Sequence, residues 1–149
     1  MDDSVDSVII TIYKAFNYTS KTVTLPAVEG GGLTKVRDIT LNYQDGEKVY
    51  KPWHIDVIED NGKTILLVMC KCDTTWSLFL VTSEDNETFT TPELVMVGNP
   101  YGWDTRLYRS SIVNVNGEYR IYYSAQDENQ KYGLGICTSK TLSNFVGKW

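Results

Sequence analysis

Short runs of β-branched and aromatic residues, separated by glycine-containing turns, recur along the whole chain. Such runs, bounded by Asn-Gly, Asp-Gly and Gly-Gly, are typical of strands joined by hairpins, and no long stretch shows a helical period. The fold class that follows is all-β. The pattern predicts ten strands, at Val8–Tyr13, Thr22–Leu25, Ile39–Tyr43, His54–Glu59, Thr64–Cys72, Ser77–Thr82, Glu93–Val97, Ser111–Val115, Tyr119–Ser124 and Gly133–Thr138.

The later strands belong to one unit that occurs twice. Asn61-Gly62 returns as Asn116-Gly117 at an offset of 55, and Ser83 returns as Ser139 at an offset of 56. A strand-rich repeat of this length is in the range of a propeller blade, which runs to roughly 40 to 50 residues or slightly more. In each copy the Asn-Gly pair supplies the positive φ angles of a tight hairpin.

Projecting the repeat along the chain predicts a single segment of a partial β-propeller, with about two and a half to three blades of antiparallel four-stranded meanders. Residues 1–50 are expected to form strands two to four of a first, partial blade. Residues 51–105 are expected to form a complete blade, and residues 106–149 strands one to three of another. Because such an arc leaves sheet edges uncovered, the expected partners include further blades, from the same chain or from another copy.

Composition limits the partners. The chain of 149 residues has a formal charge of -5 and a pI near 4.8. Nucleic acids and anionic membranes select for clustered Lys and Arg, so neither is expected as a partner. No apolar run approaches the roughly 20 residues that a membrane-spanning helix needs.

Two groups of side chains are candidates for metal binding. The zinc candidates are the three cysteines and the single histidine, Cys70, Cys72, Cys137 and His54. The paired spacing of a zinc knuckle is missing, so buried apolar thiols are favoured. The acidic turn at Glu84, Asp85 and Glu87 is typical of a solvated surface, with calcium as the alternative. No metal or other cofactor is therefore predicted.

The candidate functional residues lie on strand one of each repeat. In a propeller these strands line the central axis, and ligands bind where the strands enter the central channel. The candidate binding residues are Trp53, His54, Asp56, Tyr108, Arg109 and Ser111. Trp53 and Tyr108 suit stacking on sugar faces and packing under a blade seam equally well. Three roles remain open for Asp56, namely a charge-assisted hydrogen bond with Arg109, sugar binding and catalysis. His54 is interpreted as a packed side chain rather than a base.

The segment from Trp53 through the Asn61-Gly62 hairpin, and the strands from Leu107 to Ser139, resemble the five-bladed glycoside hydrolase propellers of the furanosidase clan, the arabinanase and xylosidase group. The resemblance covers roughly residues 36 to 145. Those enzymes use a base Asp, a general-acid Glu and an Asp that adjusts the pKa of the acid. The resemblance assigns Asp56 to this last, catalytic position. Tyr108 and Arg109 stand where the acid would lie, and no residue matches the base.

The same propeller is similar to the platform domain in receptor-binding tail proteins of phages that infect Gram-positive bacteria, where the hydrolase carboxylates need not persist. The expected function is therefore a carbohydrate-recognition module of a phage or prophage tail that contacts cell-wall glycan, located in the virion or the bacterium. One alternative is a fragment of a glycoside hydrolase acting on plant or microbial polysaccharide, which would be extracellular after removal of a signal. Another is a structural assembly module without a ligand. An enzyme is the less favoured class.

Overall fold

In a computed structural model of the protein, the structure describes residues 8–15, 33–41 and 43–148, and every regular element among them is a β-strand. The chain forms two compact units, residues 1–42 and 43–149. The first unit contains one antiparallel pair, β1 (Val8–Ala15) and β2 (Leu33–Leu41). The all-β class predicted from the sequence is confirmed.

The pairing within the first unit differs from the prediction. Strands expected at Val8–Tyr13 and Ile39–Tyr43 overlap β1 and β2, which are direct neighbours. In the predicted meander a third strand would separate them. The segment expected to form that strand, Thr22–Leu25, lies outside the described residues. The projection had no local support here, because the first 42 residues contain no Asn-Gly pair to fix a hairpin and its register.

The second unit contains two antiparallel sheets. The first sheet has five strands in sequential order, β3 (Tyr43–Asp45), β4 (Lys48–Asp60), β5 (Lys63–Cys72), β6 (Thr75–Ser83) and β7 (Glu93–Val97). The second sheet has four strands in sequential order, β8 (Arg106–Val115), β9 (Glu118–Gln126), β10 (Tyr132–Ser139) and β11 (Val146–Lys148). Both sheets are meanders, in which each strand pairs with the next along the chain.

All seven strands predicted between residues 54 and 138 are confirmed, and so are the two tight hairpins. Asn61 and Gly62 have φ angles of 51° and 74°, and Asn116 and Gly117 have 54° and 81°. Positive φ at both central residues is the conformation that a two-residue hairpin with Asn-Gly requires.

Two short strands were missed, so the predicted total of ten is wrong. β3 forms a hairpin with the start of β4, where Asp45 lies opposite Lys48 and Gly46 has a φ of 60°. β11 pairs with the end of β10, which gives the second sheet four strands instead of the predicted three. Each missed strand has only three residues, too few for a hydrophobic alternation to be recognised.

An apolar core joins the two sheets. Alternate residues of β5 and β6 contribute one side of it, and β8, β9 and β10 contribute the other. The buried members are Ile65, Leu67, Met69, Leu78, Leu80, Leu107, Ile112, Ile121, Tyr123, Ala125 and Cys137. Burying one such aliphatic or aromatic side chain stabilises a fold by about 1.5–3 kcal/mol, so this core is what holds the two sheets together.

Two glycines of β10 make room for aromatic rings within this core. A Cβ atom on Gly133 would lie 2.5 Å from Cε3 of Trp103, and one on Gly135 would overlap the ring of Tyr123. The rings of Trp103 and Tyr123 stack at a centroid distance of 5.9 Å and an angle of 13°. Glycine at both positions therefore fixes where these rings lie, at the end of the second sheet where β8 begins.

The two copies of the repeat differ in how their faces are covered. Leu67 and Leu78 of the first sheet face the second sheet and are fully buried. The residues one repeat later are Tyr122 and Leu134, and these are 46% and 85% exposed. The face that is buried in the first copy is therefore open to solvent in the second.

Candidate functional site

Each copy of strand one contains a β-bulge at the same place. In β4 the extra residue is Trp53, and in β8 the extra residue lies within Tyr108–Arg109. The offset of 55 maps Trp53 onto Tyr108. A bulge bends the strand and changes the direction of its side chains. The two matched bulges therefore take two aromatic rings out of the regular alternation of side chains between the faces of the sheet.

The ring of Trp53 rests on a second indole and a lysine. Its centroid lies 5.6 Å from that of Trp76, at an angle of 38°. Nζ of Lys71 lies 5.6 Å from the Trp53 centroid and 5.3 Å from the Trp76 centroid, within cation–π range of both. Trp76 packs against the core between the sheets. Trp53 is thus supported from behind while 39% of it stays exposed.

The second bulge likewise combines an aromatic ring with a cation. The Tyr108 ring meets the His54 ring edge to face, at a centroid distance of 4.8 Å and an angle of 88°. Cζ of Arg109 lies 5.7 Å from the Tyr108 centroid. The Arg109 backbone N–H donates to Oγ of Ser124 at 3.1 Å, and the Ser124 hydroxyl donates to the Arg109 carbonyl at 3.2 Å. The bulge is therefore held by two hydrogen bonds.

His54 is half-buried and packs against Tyr108. Burial, and then the positive charge of Arg109, lower the pKa of His54 below its usual value of 6.5. Its Nε2 atom is buried and has no hydrogen-bond partner among the residues that the structure describes. These surroundings disfavour the charged form of the imidazole.

Asp56 links the two sheets. Its Oδ2 atom accepts a hydrogen bond from the Ser111 hydroxyl at 3.0 Å and one from the Ile112 backbone N–H at 2.8 Å. It forms no ion pair with Arg109 in the described part of the chain. The option of an Asp56–Arg109 pair is therefore wrong, because the donors that meet Asp56 are those of Ser111 and Ile112.

Asp60 forms a second link of the same kind, which the sequence interpretation missed. Its Oδ2 atom accepts from Nδ2 of Asn114 at 2.8 Å and from the Tyr119 hydroxyl at 2.6 Å. These bonds lower the pKa of Asp60, and the bond to Asp60 raises the pKa of Tyr119. We call Asp56 and Asp60, with the donors that they bind, the inter-sheet clamp.

The clamp is expected to make stability depend on acidity. Because folding lowers the pKa of Asp60, its contribution is fully present above the unfolded value of about 3.9 and is lost as the pH falls through the folded value. Urea unfolding followed between pH 6 and pH 2.5 should therefore show a smaller loss of stability on acidification for Asp60→Asn than for the wild type. Asp73→Asn, at an exposed turn residue, is the matched control. Equal acid dependence in all three proteins would contradict the prediction.

In the acidic turn, for which calcium binding was the alternative, the central carboxylate accepts hydrogen bonds from the turn itself. Oδ1 of Asp85 accepts from the Ser83 hydroxyl at 3.1 Å and from the backbone N–H groups of Glu87 and Thr88 at 2.7 Å each. These backbone bonds lower the pKa of Asp85 to about 2. The turn is thus stabilised by a local hydrogen-bonded loop.

The three cysteines are free and buried, and they do not converge on one another. Burial raises the pKa of Cys70 to about 12 and that of Cys137 to about 11. Within residues 8–15, 33–41 and 43–148, no three or more His, Cys, Asp or Glu side chains are grouped to hold a metal ion. None of these same residues forms a helix that is long and apolar enough to cross a membrane.

Three of the six predicted binding residues, His54, Tyr108 and Arg109, form one group of contacts, and two lie in the clamp. Trp53, which adjoins His54 in the chain, forms a second group with Trp76 and Lys71. We call the two groups together the aromatic cluster, and its members are Trp53, His54, Lys71, Trp76, Tyr108 and Arg109. Asp56 and Ser111 bind each other instead. Lys71 and Trp76 were missed, although they are cross-strand partners next to a tight turn and so share a face.

The sequence matches no protein-family model and no curated protein. Solved structures do match. A β-xylosidase is 17% identical with a TM-score of 0.55, over 65% of this chain and 35% of its own. A glycoside hydrolase family 43 β-xylosidase/α-arabinofuranosidase from a compost microbial metagenome is 12% identical with a TM-score of 0.53, over 65% of this chain and 34% of its own. A glycosyl hydrolase from Bacteroides ovatus is 19% identical with a TM-score of 0.54, over 64% and 30%.

Over about 65% of its length, the chain has the β-propeller fold of these solved structures. The predicted partial propeller of antiparallel meanders is thereby confirmed as the fold class. The chain spans about a third of the length of these enzymes. Within this propeller segment, the aromatic cluster and the inter-sheet clamp both lie where β4 and β8, the two copies of strand one, run side by side.

Proposed function

We propose that this propeller segment recognises carbohydrate through the aromatic cluster. The observation that carries the proposal is the pair of matched bulges, which displays Trp53 at 39% exposure and Tyr108 at 42% exposure while rings and cations behind them fix their positions. Exposed, immobilised aromatic faces are suited to stacking on the apolar face of a sugar ring. Nζ of Lys71 and the guanidinium of Arg109 supply hydrogen-bond donors for hydroxyl groups at its edge.

The setting that we propose is a receptor-binding tail protein of a phage or prophage, with the cell-wall glycan of the host as ligand. Two features support this setting. The resemblance to tail-protein platform domains concerns the same propeller, and recognition of glycan requires no pair of hydrolytic carboxylates. Related folds have been solved with xylose and with xylotriose, so xylo-oligosaccharides are suitable first probes beside cell-wall fragments.

Glycoside hydrolysis is the second candidate, favoured by the fold and by the position of Asp56. It requires a second carboxylate across the scissile bond, about 5 to 9.5 Å away depending on the mechanism. Asp56 already accepts two hydrogen bonds from the neighbouring sheet, and Asp104 is buried and accepts one from the Tyr123 hydroxyl. These engagements favour recognition over catalysis for this segment.

Binding is tested by a glycan array, followed by calorimetry with the best ligand. We expect Trp53→Ala and Tyr108→Ala each to weaken binding about tenfold, because each removes a stacking face worth about 1 kcal/mol or more. Tyr101→Ala is the matched control, since Tyr101 is 98% exposed and lies outside the aromatic cluster. Circular dichroism of each variant verifies folding.

Each alternative has its own result. If the wild type hydrolyses aryl xylosides or arabinofuranosides and Asp56→Asn does not, then glycoside hydrolysis is the function and the recognition proposal is wrong. Absence of any saturable signal on the array would leave the structural assembly module as the function.

A further inference from the structure

We propose that the aromatic cluster selects a saccharide that carries a negative charge, such as the carboxylate of a uronic acid or a phosphate substituent. This inference rests on the proposed carbohydrate recognition, since it names the ligand class of the same site. Its basis is the positive charge of Lys71 and Arg109, which no carboxylate in the described part of the chain pairs with.

Two cations of the aromatic cluster have aromatic faces as partners where carboxylates would be expected. Lys71 lies over Trp53 and Trp76, and Arg109 lies over Tyr108. Neither forms an ion pair with any residue that the structure describes. The whole chain has 19 acidic and 14 basic residues. Two cations without an ion pair to a described residue, one on β5 and one on β8, therefore stand out in an acidic protein.

The carboxylates of the surrounding segments do not balance these charges. Asp56 accepts its hydrogen bonds from Ser111 and Ile112. Asp104 is buried and accepts from the Tyr123 hydroxyl. Asp73 lies in the exposed turn after β5 and makes no ion pair with Lys71. An anion brought by a ligand would thus meet cations that no described carboxylate neutralises.

The pKa of His54 reports on charge near Arg109. Burial lowers this pKa first, and the charge of Arg109 lowers it further. An anion bound beside Arg109 would oppose that charge and raise the pKa of His54 again.

Stacking and charge would then act on different parts of one ligand. A sugar ring stacked on Trp53 would have Lys71 beside it, and one stacked on Tyr108 would have Arg109 beside it. Hydrogen bonds between ionised partners are roughly twice as strong as neutral ones. Charge on the saccharide should therefore add to the affinity that the rings provide.

The test compares trigalacturonic acid with its trimethyl ester, which is the same sugar without the charge, by calorimetry on the full chain. A second pair, glucose 6-phosphate and glucose, distinguishes phosphate from carboxylate as the anion. We expect the charged member of at least one pair to bind about tenfold more tightly, and this preference to shrink as salt is added. Lys71→Met keeps an apolar stem on the indole rings and should lower the ratio of charged to neutral affinity several-fold, because it removes one of the two cations. Lys140→Met, at an exposed residue outside the aromatic cluster, is the control.

Because His54 is the single histidine, its pKa can be followed by NMR without assignment. The preferred anion should raise this pKa, and its neutral counterpart should not. Equal binding of charged and neutral members, unaltered by Lys71→Met, would overturn this inference and leave carbohydrate recognition standing. Failure of neutral and charged saccharides alike to bind, on the array and in calorimetry, would overturn both proposals.

Discussion

Alanine in place of Asp56 is expected to lower the free energy of unfolding by about 3 kcal/mol. The carboxylate accepts hydrogen bonds from the Ile112 N–H and the Ser111 hydroxyl, and bonds to a charged group contribute about 1.5–3 kcal/mol each. Ser111 is exposed enough for water to replace its lost partner, whereas Ile112 is fully buried and its N–H would be left unsatisfied. Most of the cost therefore comes from Ile112.

Urea unfolding followed by tryptophan fluorescence measures this loss, since all four tryptophans lie beyond residue 42. Asp56→Asn retains an acceptor oxygen without the charge, so about half of the effect should remain. Ser111→Ala, which removes the weaker donor alone, should cost about 1 kcal/mol. A loss below about 0.5 kcal/mol for Asp56→Ala, the size of an ordinary surface substitution, would show that the clamp is not needed for stability. The carboxylate would then be available for ligand.

Substitutions at equivalent positions of the two repeats are expected to differ several-fold in their cost. Leu67→Ala should destabilise by about 3 kcal/mol, because it removes a fully buried side chain from the core between the sheets and leaves a cavity. Tyr122 occupies the same position one repeat later and is 46% exposed, so Tyr122→Ala should cost less than about 1 kcal/mol.

The same unfolding assay measures both variants, and circular dichroism of the folded baselines verifies that neither changes the strand content. Leu134→Ala is a further control on the exposed face, at a residue that is 85% exposed. If Tyr122→Ala or Leu134→Ala proved as costly as Leu67→Ala, the outer face of the second sheet would have to be covered in solution. A concentration-dependent difference would identify a second copy as the cover.

Much of the fold could be predicted because its signals are local. The runs of apolar, β-branched and aromatic residues in β5, β6 and β9, like the two Asn-Gly pairs, are visible in neighbouring residues alone, and these elements were predicted within a few positions. The direct pairing of β1 with β2 depends on contacts far apart in sequence. A fixed repeat offset cannot supply that information where the repeat has no conserved hairpin.

The candidate site was predictable in its residues and not in its geometry. The offset correctly placed Trp53 and Tyr108 in equivalent positions, yet the bulges that aim them depend on two residues lying opposite one in the paired strand. To predict the role of Asp56, one would need to know that its strand lies beside the Ile112 N–H of the next sheet. The repeat did not point to Asp60, because the equivalent residue of the second repeat is the apolar Val115.

The inter-sheet clamp also gives the joint between the two repeats a direction. The first repeat contributes the carboxylates of Asp56 and Asp60, which only accept hydrogen bonds, whereas the second repeat contributes the donors. At the positions of these carboxylates the second repeat has Ser111 and Val115. Two copies of the first repeat, or two copies of the second, would oppose like partners and could not form the same joint. The two repeats are therefore not interchangeable, and the clamp forms only when a first repeat lies beside a second.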